Sequence, residues 1–313
     1  MAAVDVGSNT VHLLVATLAD EGLVERLHAV EMLNLGREVT SHGRIGAPLI
    51  ATVTDTVARM LDLARGSGAE DVGLVGTEAV RNAPDADQLV ASVKAATSET
   101  LRILTGEAEA RLSYLGATAF RVPAGEPATV ADVGGGSTEV VQGKGTRPRN
   151  GTSLKLGSDQ LLNLIKASDP PTTQQQVHAA ARVSMILEAV PRSQPPGTLM
   201  ATGGTASNVP VLLGARRPAV ESARLSLREE AGEAWTHVDR SDLEKALELT
   251  MSRSSGVLAA ATGLTPRRAR LMAGGLVILV GLLDRYQADG LTVTERGLRD
   301  GVALALAAAR ARS

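Results

Sequence analysis

Cysteine is absent from the 313 residues. Its absence removes disulfides, thiolate nucleophiles, zinc–thiolate sites and iron–sulfur ligation at once, and it suits a reducing cytoplasm. Aromatic residues are scarce too: one Trp, two Tyr and one Phe. The cores must therefore be aliphatic, and little is left to stack nucleobases on, which argues against a single-strand nucleic-acid binder. No sign of charge dominates, since 32 Lys and Arg stand against 34 Asp and Glu for a net −2. No bulk field draws the chain to nucleic acid or to an anionic membrane, so any anion must be bound locally. The longest apolar run, Leu271 to Leu283, is shorter than the ~20 residues of a bilayer-spanning helix and reads as a buried helix. The opening Met1-Ala-Ala-Val-Asp5 has no charged region leading into an apolar one, so the expectation is a soluble, cytoplasmic protein with no membrane partner.

What is present is enough apolar material, 44% of residues, for a folded chain, and a length beyond the usual ~100–200 residues of one domain. Helical spacing of Leu49, Val53, Val57, Met60, Leu61 and Leu63 predicts a helix over 47–65. Further helices are expected over 88–96, 107–119, 172–189, 241–259 and 267–286, with Asp239 or Ser241 as an N-cap and Pro266 near a helix start. Short strands are expected at 71–76, 128–132, 198–202 and 291–294, and a last helix from Leu298. The segment Pro123-Ala-Gly-Glu-Pro127 marks a boundary. The second half then opens as the first does: Val130-Ala-Asp132-Val-Gly134-Gly-Gly136-Ser-Thr-Glu-Val-Val141 follows the order of Val4-Asp5-Val-Gly7-Ser-Asn-Thr-Val-His-Leu-Leu14. The expected organisation is two related α/β domains facing each other, 1–124 and 125–297, with the helix over about 298–313 packing back on the first.

The chemistry sits on the glycine turns. Each Asp-Val-Gly places a carboxylate at a strand end and then a residue that lets the backbone turn sharply. In Gly134-Gly-Gly-Ser-Thr138, successive N–H groups with two hydroxyls beside them suit phosphate oxygens. With Gly7-Ser8-Asn9 and the Gly203-Gly204-Thr205 turn, three such cradles follow short apolar strands and point to a cleft. There is no P-loop, no Gly-x-Gly-x-x-Gly after a first strand and no Gly-x-Ser-x-Gly elbow. His12, His28, His42, His178 and His237 are scattered singletons without metal-ligand spacing. That leaves carboxylates. Glu107 and Glu109 fall in the first turn of a helix after Gly106, where the plain role is to complement the helix dipole and the alternative is acid–base work.

These pieces, in this order, resemble the exopolyphosphatase / guanosine pentaphosphate phosphohydrolase family, within the duplicated ribonuclease H-like folds that include actin, sugar kinases and acetate kinase. Asp132-Val-Gly-Gly-Gly-Ser-Thr-Glu139 matches the family's second phosphate loop without a change, and Asp5-Val-Gly-Ser-Asn-Thr-Val-His-Leu-Leu14 resembles its first. Gly76-Thr-Glu-Ala-Val-Arg81-Asn-Ala83 is similar to its Ala-Thr-Ser-Ala-x-Arg-Asp-Ala segment, and Thr105-Gly-Glu-Ala-Glu109-Ala-Arg-Leu112 to its Ser-Gly-x-Glu-Glu-Ala-Arg-Leu segment. Leu156-Gly-Ser158, Ala201-Thr-Gly-Gly-Thr-Ala206 and Arg296-Gly-Leu-Arg299-Asp-Gly301 follow in the right order. The resemblance implies an α/β chain of two such domains with an interdomain cleft, and a possible homodimer.

It further implies Glu109 as the base that deprotonates the attacking water and Arg81 as a phosphate clamp, with a surface salt bridge as Arg81's alternative. Gly7, Ser8, Asn9, Gly134, Gly135, Gly136, Ser137, Thr138, Gly203, Gly204 and Thr205 would bind phosphate, and Asp132, Glu139 and Asp5 would hold Mg²⁺ or Mn²⁺. The implied reaction is removal of terminal phosphate from inorganic polyphosphate, with short chains expected from a two-domain form; guanosine pentaphosphate is the enzymatic alternative, and a non-catalytic phosphate or nucleotide sensor the alternative from another class. Arg147, Arg149, Lys155 and Lys166 either line a path for a polyanion or form a solvated face. The chain departs from the family pattern at Asn34, Glu78, Asn82 and Arg270.

Overall fold

In each half of the chain a short apolar strand runs into a glycine turn and returns as its antiparallel neighbour, and a sheet grows outward from that hairpin. A computed structural model describes residues 1–20, 22–192, 197–214, 225–226 and 235–312. The chain divides into two compact units, Met1–Phe120 with Ala223–Gly232 and Leu298–Ser313, and Arg121–Ser222 with Glu233–Gly297.

The first unit runs β1 (Ala2–Val6), β2 (Thr10–Ala19), β3 (Gly22–Met32), α1 (Leu35–His42), α2 (Ala47–Gly66), β4 (Val72–Gly76), α3 (Glu78–Asn82), α4 (Ala86–Thr97), β5 (Arg102–Ile103) and α5 (Gly106–Thr118). The second runs β6 (Pro127–Val133), β7 (Thr138–Lys144), β8 (Arg147–Leu154), α6 (Ser158–Leu164), α7 (Thr173–Leu187), β9 (Thr198–Thr202), α8 (Gly203–Ala206) and α9 (Val209–Leu212). The two-residue strand β10 (Leu225–Ser226) pairs with β3 of the first unit. The second unit then resumes with β11 (Trp235–Asp239), α10 (Arg240–Ser252), α11 (Ser255–Thr262), α12 (Pro266–Tyr286) and β12 (Gly290–Thr294), and α13 (Leu298–Arg310) closes the first.

The sheets have the orders β10-β3-β2-β1-β4-β5 and β11-β12-β9-β6-β7-β8. Within them β3-β2-β1-β4 corresponds to β8-β7-β6-β9, an antiparallel meander followed by a parallel neighbour. The repeat read in the sequence is thus a repeat of topology: Asp5 stands opposite His12, and Asp132 opposite Glu139.

The cores are aliphatic. In the first unit α2 buries Ile50, Val53, Val57, Met60, Leu61 and Ala64 against β1 and β2. In the second, α12 is apolar around most of its circumference, as a helix enclosed by protein must be, and the run from Leu271 to Leu283 lies inside the core. Thr265 caps α12 through its hydroxyl and Pro266 occupies its first turn. The single helix expected over 241–259 is two helices. The chain leaves α10 at Arg253, and the Ser254 hydroxyl accepts from Val257 N–H at 3.4 Å to start α11, because Ser competes well for an N-cap. Asp239 takes the cap position of α10 without a side-chain cap bond. Strands β3 and β8 and helix α1 were not among the expected elements. Strand β8 shows why: seven of its eight residues are polar, glycine or proline, and it lies at a sheet edge, so burial leaves no alternation to read.

Candidate active site

In the first unit, the turn between β1 and β2 is closed by Gly7 N–H donating to Thr10 O at 2.9 Å. Its carbonyls are held from behind, Ser8 O by Gly36 N–H at 2.7 Å and Asn9 O by Leu33 and Asn34 N–H, each at 2.9 Å. Asn34 achieves this in a left-handed conformation, φ 56°, which Asn tolerates better than most residues. Parallel pairing of β4 with β1 brings the start of α3 beside the turn, with Thr77 N–H donating to Val6 O at 3.1 Å.

Helix α5 begins at a Thr105 cap that accepts from Ala108 N–H at 3.2 Å. The two glutamates of its opening then part. Glu107 is exposed and pairs with Arg111 one turn on, at 3.0 Å, the plain surface role. Glu109 turns inward, 7% exposed, and its Oε2 accepts from Arg81 Nη1 at 2.8 Å. The same guanidinium nitrogen donates to Leu104 O at 2.7 Å. Arg81 is thus a half-buried cation whose Nη1 is fixed between the Leu104 carbonyl and a buried carboxylate. A charge-assisted bond of this length holds a carboxylate in one orientation.

In the second unit the turn after β6 is closed by Gly134 N–H to Ser137 O at 3.0 Å. The start of α6 is tied to it: Ser158 N–H donates to Gly134 O at 2.9 Å, and Asp159 and Gln160 N–H to Gly135 O at 3.0 and 3.1 Å. Thr138, expected among the phosphate contacts, is fully buried and its hydroxyl donates to Leu156 O. Across the ladder from Asp132, Glu139 is buried and accepts from the Ser153 hydroxyl at 2.7 Å. The third turn follows β9, whose Thr202 pairs with Asp132. Gly203 is left-handed, φ +92°, and a Cβ there would lie 2.9 Å from Asp132 Oδ1, so only glycine lets the chain turn that close to the carboxylate. Thr205 is buried beneath α12, where a Cβ on Gly275 would stand 1.9 Å from its hydroxyl oxygen.

Among the described residues no three His, Cys, Asp or Glu side chains group as a metal site. Of the expected trio, Asp5 belongs to the first unit and Asp132 and Glu139 to the second. Arg147, Arg149, Lys155 and Lys166 are exposed, on β8 and in the loops beyond it and beyond α6.

Two arrangements escaped sequence reasoning. His12 and His28 meet, Nδ1 to Nε2 at 3.5 Å, and Arg299 of α13 donates to His12 Nδ1 and, at 3.0 Å, to His28 Nε2. Registry of β2 on β3 brings the two together, and nothing in the spacing of two histidines sixteen residues apart reports it. Arg268 lies against the third turn, where a Cβ on Gly204 would sit 2.2 Å from its Nη1. The departures are also accounted for. Glu78 accepts from the Ser8 hydroxyl at 2.9 Å and from Asn82 Nδ2 at 2.7 Å, so Asn82 supplies a donor where a second carboxylate one turn away would repel. Arg270 donates to the carbonyls of Ser168 and Ala167, pinning the loop before α7.

Comparison with known proteins places this geometry. The model of the Ppx/GppA phosphatase family matches residues 20–309. The chain belongs to that family. Exopolyphosphatase 2 of Mycobacterium tuberculosis is 30% identical to it over 98% of each chain. The guanosine-5'-triphosphate,3'-diphosphate pyrophosphatase of Vibrio campbellii is 25% identical over 96% of this chain, which spans 58% of that protein. The crystal structure of the Aquifex aeolicus Ppx/GppA member matches with a TM-score of 0.84 at 27% identity, over 100% of this chain and 98% of that one. The two sheet-plus-helix units are thus the actin-like, duplicated α/β fold of the Ppx/GppA structures, as the sequence led one to expect. Ppx/GppA proteins are phosphoanhydride hydrolases.

Proposed function

We propose that this Ppx/GppA protein is an exopolyphosphatase, hydrolysing the terminal phosphoanhydride of inorganic polyphosphate and releasing orthophosphate, with short chains as its substrates. One observation carries the reading: the buried Glu109 carboxylate, oriented at 2.8 Å by Arg81. Its chemical counterpart is a reaction in which positioning and charge neutralisation do most of the work and a single base suffices. Glu109 orients the attacking water and takes its proton on the carboxylate, while Arg81 keeps that carboxylate from rotating. In the second unit the turn closed by Gly134 leaves the backbone N–H groups of Gly135 and Gly136 to meet phosphate oxygens. The 30% identity to an exopolyphosphatase over 98% of both chains supports the substrate, as does the shortage of aromatic side chains for a guanine to stack on.

A divalent metal fits the donor chemistry. Asp132 and Glu139 are hard oxygen donors on directly opposed strand positions, and Mg²⁺ is ordinarily held by one or two carboxylates together with substrate phosphates and water. Bound there, Mg²⁺ or Mn²⁺ would neutralise charge developing on the phosphoryl oxygens. Asp5 is the corresponding carboxylate of the first unit. A cytoplasmic homodimer belongs to the same reading, and sedimentation of the purified chain tests the dimer.

Guanosine pentaphosphate is the second substrate to weigh, on the strength of the 25% identity to the Vibrio enzyme. The deciding measurement is phosphate release from short polyphosphate, long polyphosphate and guanosine pentaphosphate with Mg²⁺, by the wild type and by Glu109→Gln. Turnover of polyphosphate that falls by roughly 10²–10⁴ in Glu109→Gln, with binding retained, is the expected result. Preferred turnover of the nucleotide moves the assignment to pentaphosphate hydrolysis, tight binding without turnover of either makes the chain a sensor, and equal rates in the two proteins return Glu109 to a role at the helix start.

A further inference from the structure

The first glycine turn differs from an ordinary anion cradle in one respect. A serine hydroxyl has a single proton to donate. In this turn Ser8 donates it to Glu78 Oε2 at 2.9 Å, and the other carboxylate oxygen accepts from Asn82 at 2.7 Å. What Ser8 can then present to a ligand is lone pairs, beside a fixed negative charge. Both features oppose a phosphate oxygen. Glu78 is only half-buried, so its charge is felt in the solvent next to the turn. The turn does not depend on that carboxylate for its shape, because its backbone is held by Gly36, Leu33 and Asn34 N–H groups and by its own Gly7–Thr10 bond.

We propose that Glu78 sets the affinity of the first turn, weakening binding of the phosphate chain by claiming the Ser8 proton and placing a carboxylate beside the substrate's own charges. The inference rests on the polyphosphate reading above. Asn82 is its positioning partner, holding the carboxylate toward Ser8 from one turn along α3. Because screening at physiological salt confines the field to about 8 Å, the effect falls on the nearest phosphates and is equal for short and long chains.

The test separates charge from proton. Glu78→Gln keeps the shape and removes the charge, and Glu78→Ser removes the charge and also releases the Ser8 hydroxyl. Dissociation constants for short-chain polyphosphate are measured calorimetrically without added metal, in the Glu109→Gln background, together with kcat, KM and melting temperature on the active chain. Expected are about tenfold tighter binding for Glu78→Gln, from one fewer like charge at close range, and tighter binding still for Glu78→Ser. KM should fall in parallel while kcat stays within about twofold, and the gain should shrink as salt is raised. Unchanged or weaker binding by both variants at unchanged melting temperature overturns the proposal, as does a change in kcat alone. A wild type that releases no phosphate from any polyphosphate overturns the substrate reading instead, and the metal-free titrations still report whether Glu78 opposes a phosphate chain.

Discussion

Replacing Arg81 by Met keeps its length and apolar stem and removes its charge and donors. The carboxylate of Glu109 then loses its 2.8 Å partner in a setting where it is 7% exposed, and Leu104 O loses a donor at 2.7 Å. Breaking a buried ion pair from one side costs roughly 3–5 kcal/mol. The Arg81 side chain is 23% exposed, so water reaches part of the vacated volume, and the lower end applies, about 3 kcal/mol. At roughly 3 °C per kcal/mol for a unit of this size, the melting temperature should fall by about 9 °C. Removing the charge on both sides, Arg81→Met with Glu109→Leu, leaves an apolar pair of similar volume and should recover most of that loss, ending within about 1–2 kcal/mol of the wild type. The double-mutant cycle with both single variants, by calorimetry and guanidinium titration at pH 7, isolates the coupling between the two side chains. A melting temperature for Arg81→Met within a degree of the wild type, or a double variant as unstable as the sum of the singles, refutes the reasoning, since either means the pair is not held together by burial.

Two further outcomes follow from packing. Tyr114 is fully buried with no hydrogen-bond partner for its hydroxyl among the described residues, and burial pushes its phenol up to about 12. The neutral form is favoured in the folded state, so this contribution to stability is complete below the ordinary value of about 10 and is lost as pH rises from there through 12. Tyr114→Phe should be as stable as the wild type or slightly more so at pH 8 and should lose less on going to pH 11, by urea titration at both; a loss above about 1 kcal/mol at pH 8 would contradict it. Gly275→Ala drives a methyl to 1.9 Å from the Thr205 hydroxyl and should destabilise by about 1–3 kcal/mol, whereas Gly256→Ala, in α11 with open space around it, should stabilise by about 0.5–1 kcal/mol. Melting curves that rank the two alanines the other way would show that α12 yields at the third turn.

Much was legible because it is local. Gly at 7, 134 and 203 follows short apolar strands, and only that order of strand, turn and strand was needed to anticipate two related sheets; helical spacing likewise announced α2 and α12. Capping was partly legible as well: Thr265-Pro266 starts a helix as written, but Ser254 starts a second helix inside a run whose periodicity reads as one. Strand β8 was not legible, because an edge strand with its side chains in water carries no apolar alternation.

The site divides along the same line. Residue type and order by themselves determined the family, the three turns and the candidacy of Glu109, since turn chemistry and a carboxylate after a helix cap are properties of a few neighbouring residues. Tertiary structure alone decided which of two glutamates two residues apart faces inward, since burial depends on what α5 packs against. It joined Arg81 to Glu109, 28 residues away, and brought Glu78 to Ser8 across 70. Those pairings depend on parallel registry of β4 with β5 for the first and with β1 for the second, long-range choices made by the whole sheet that no short stretch of sequence encodes.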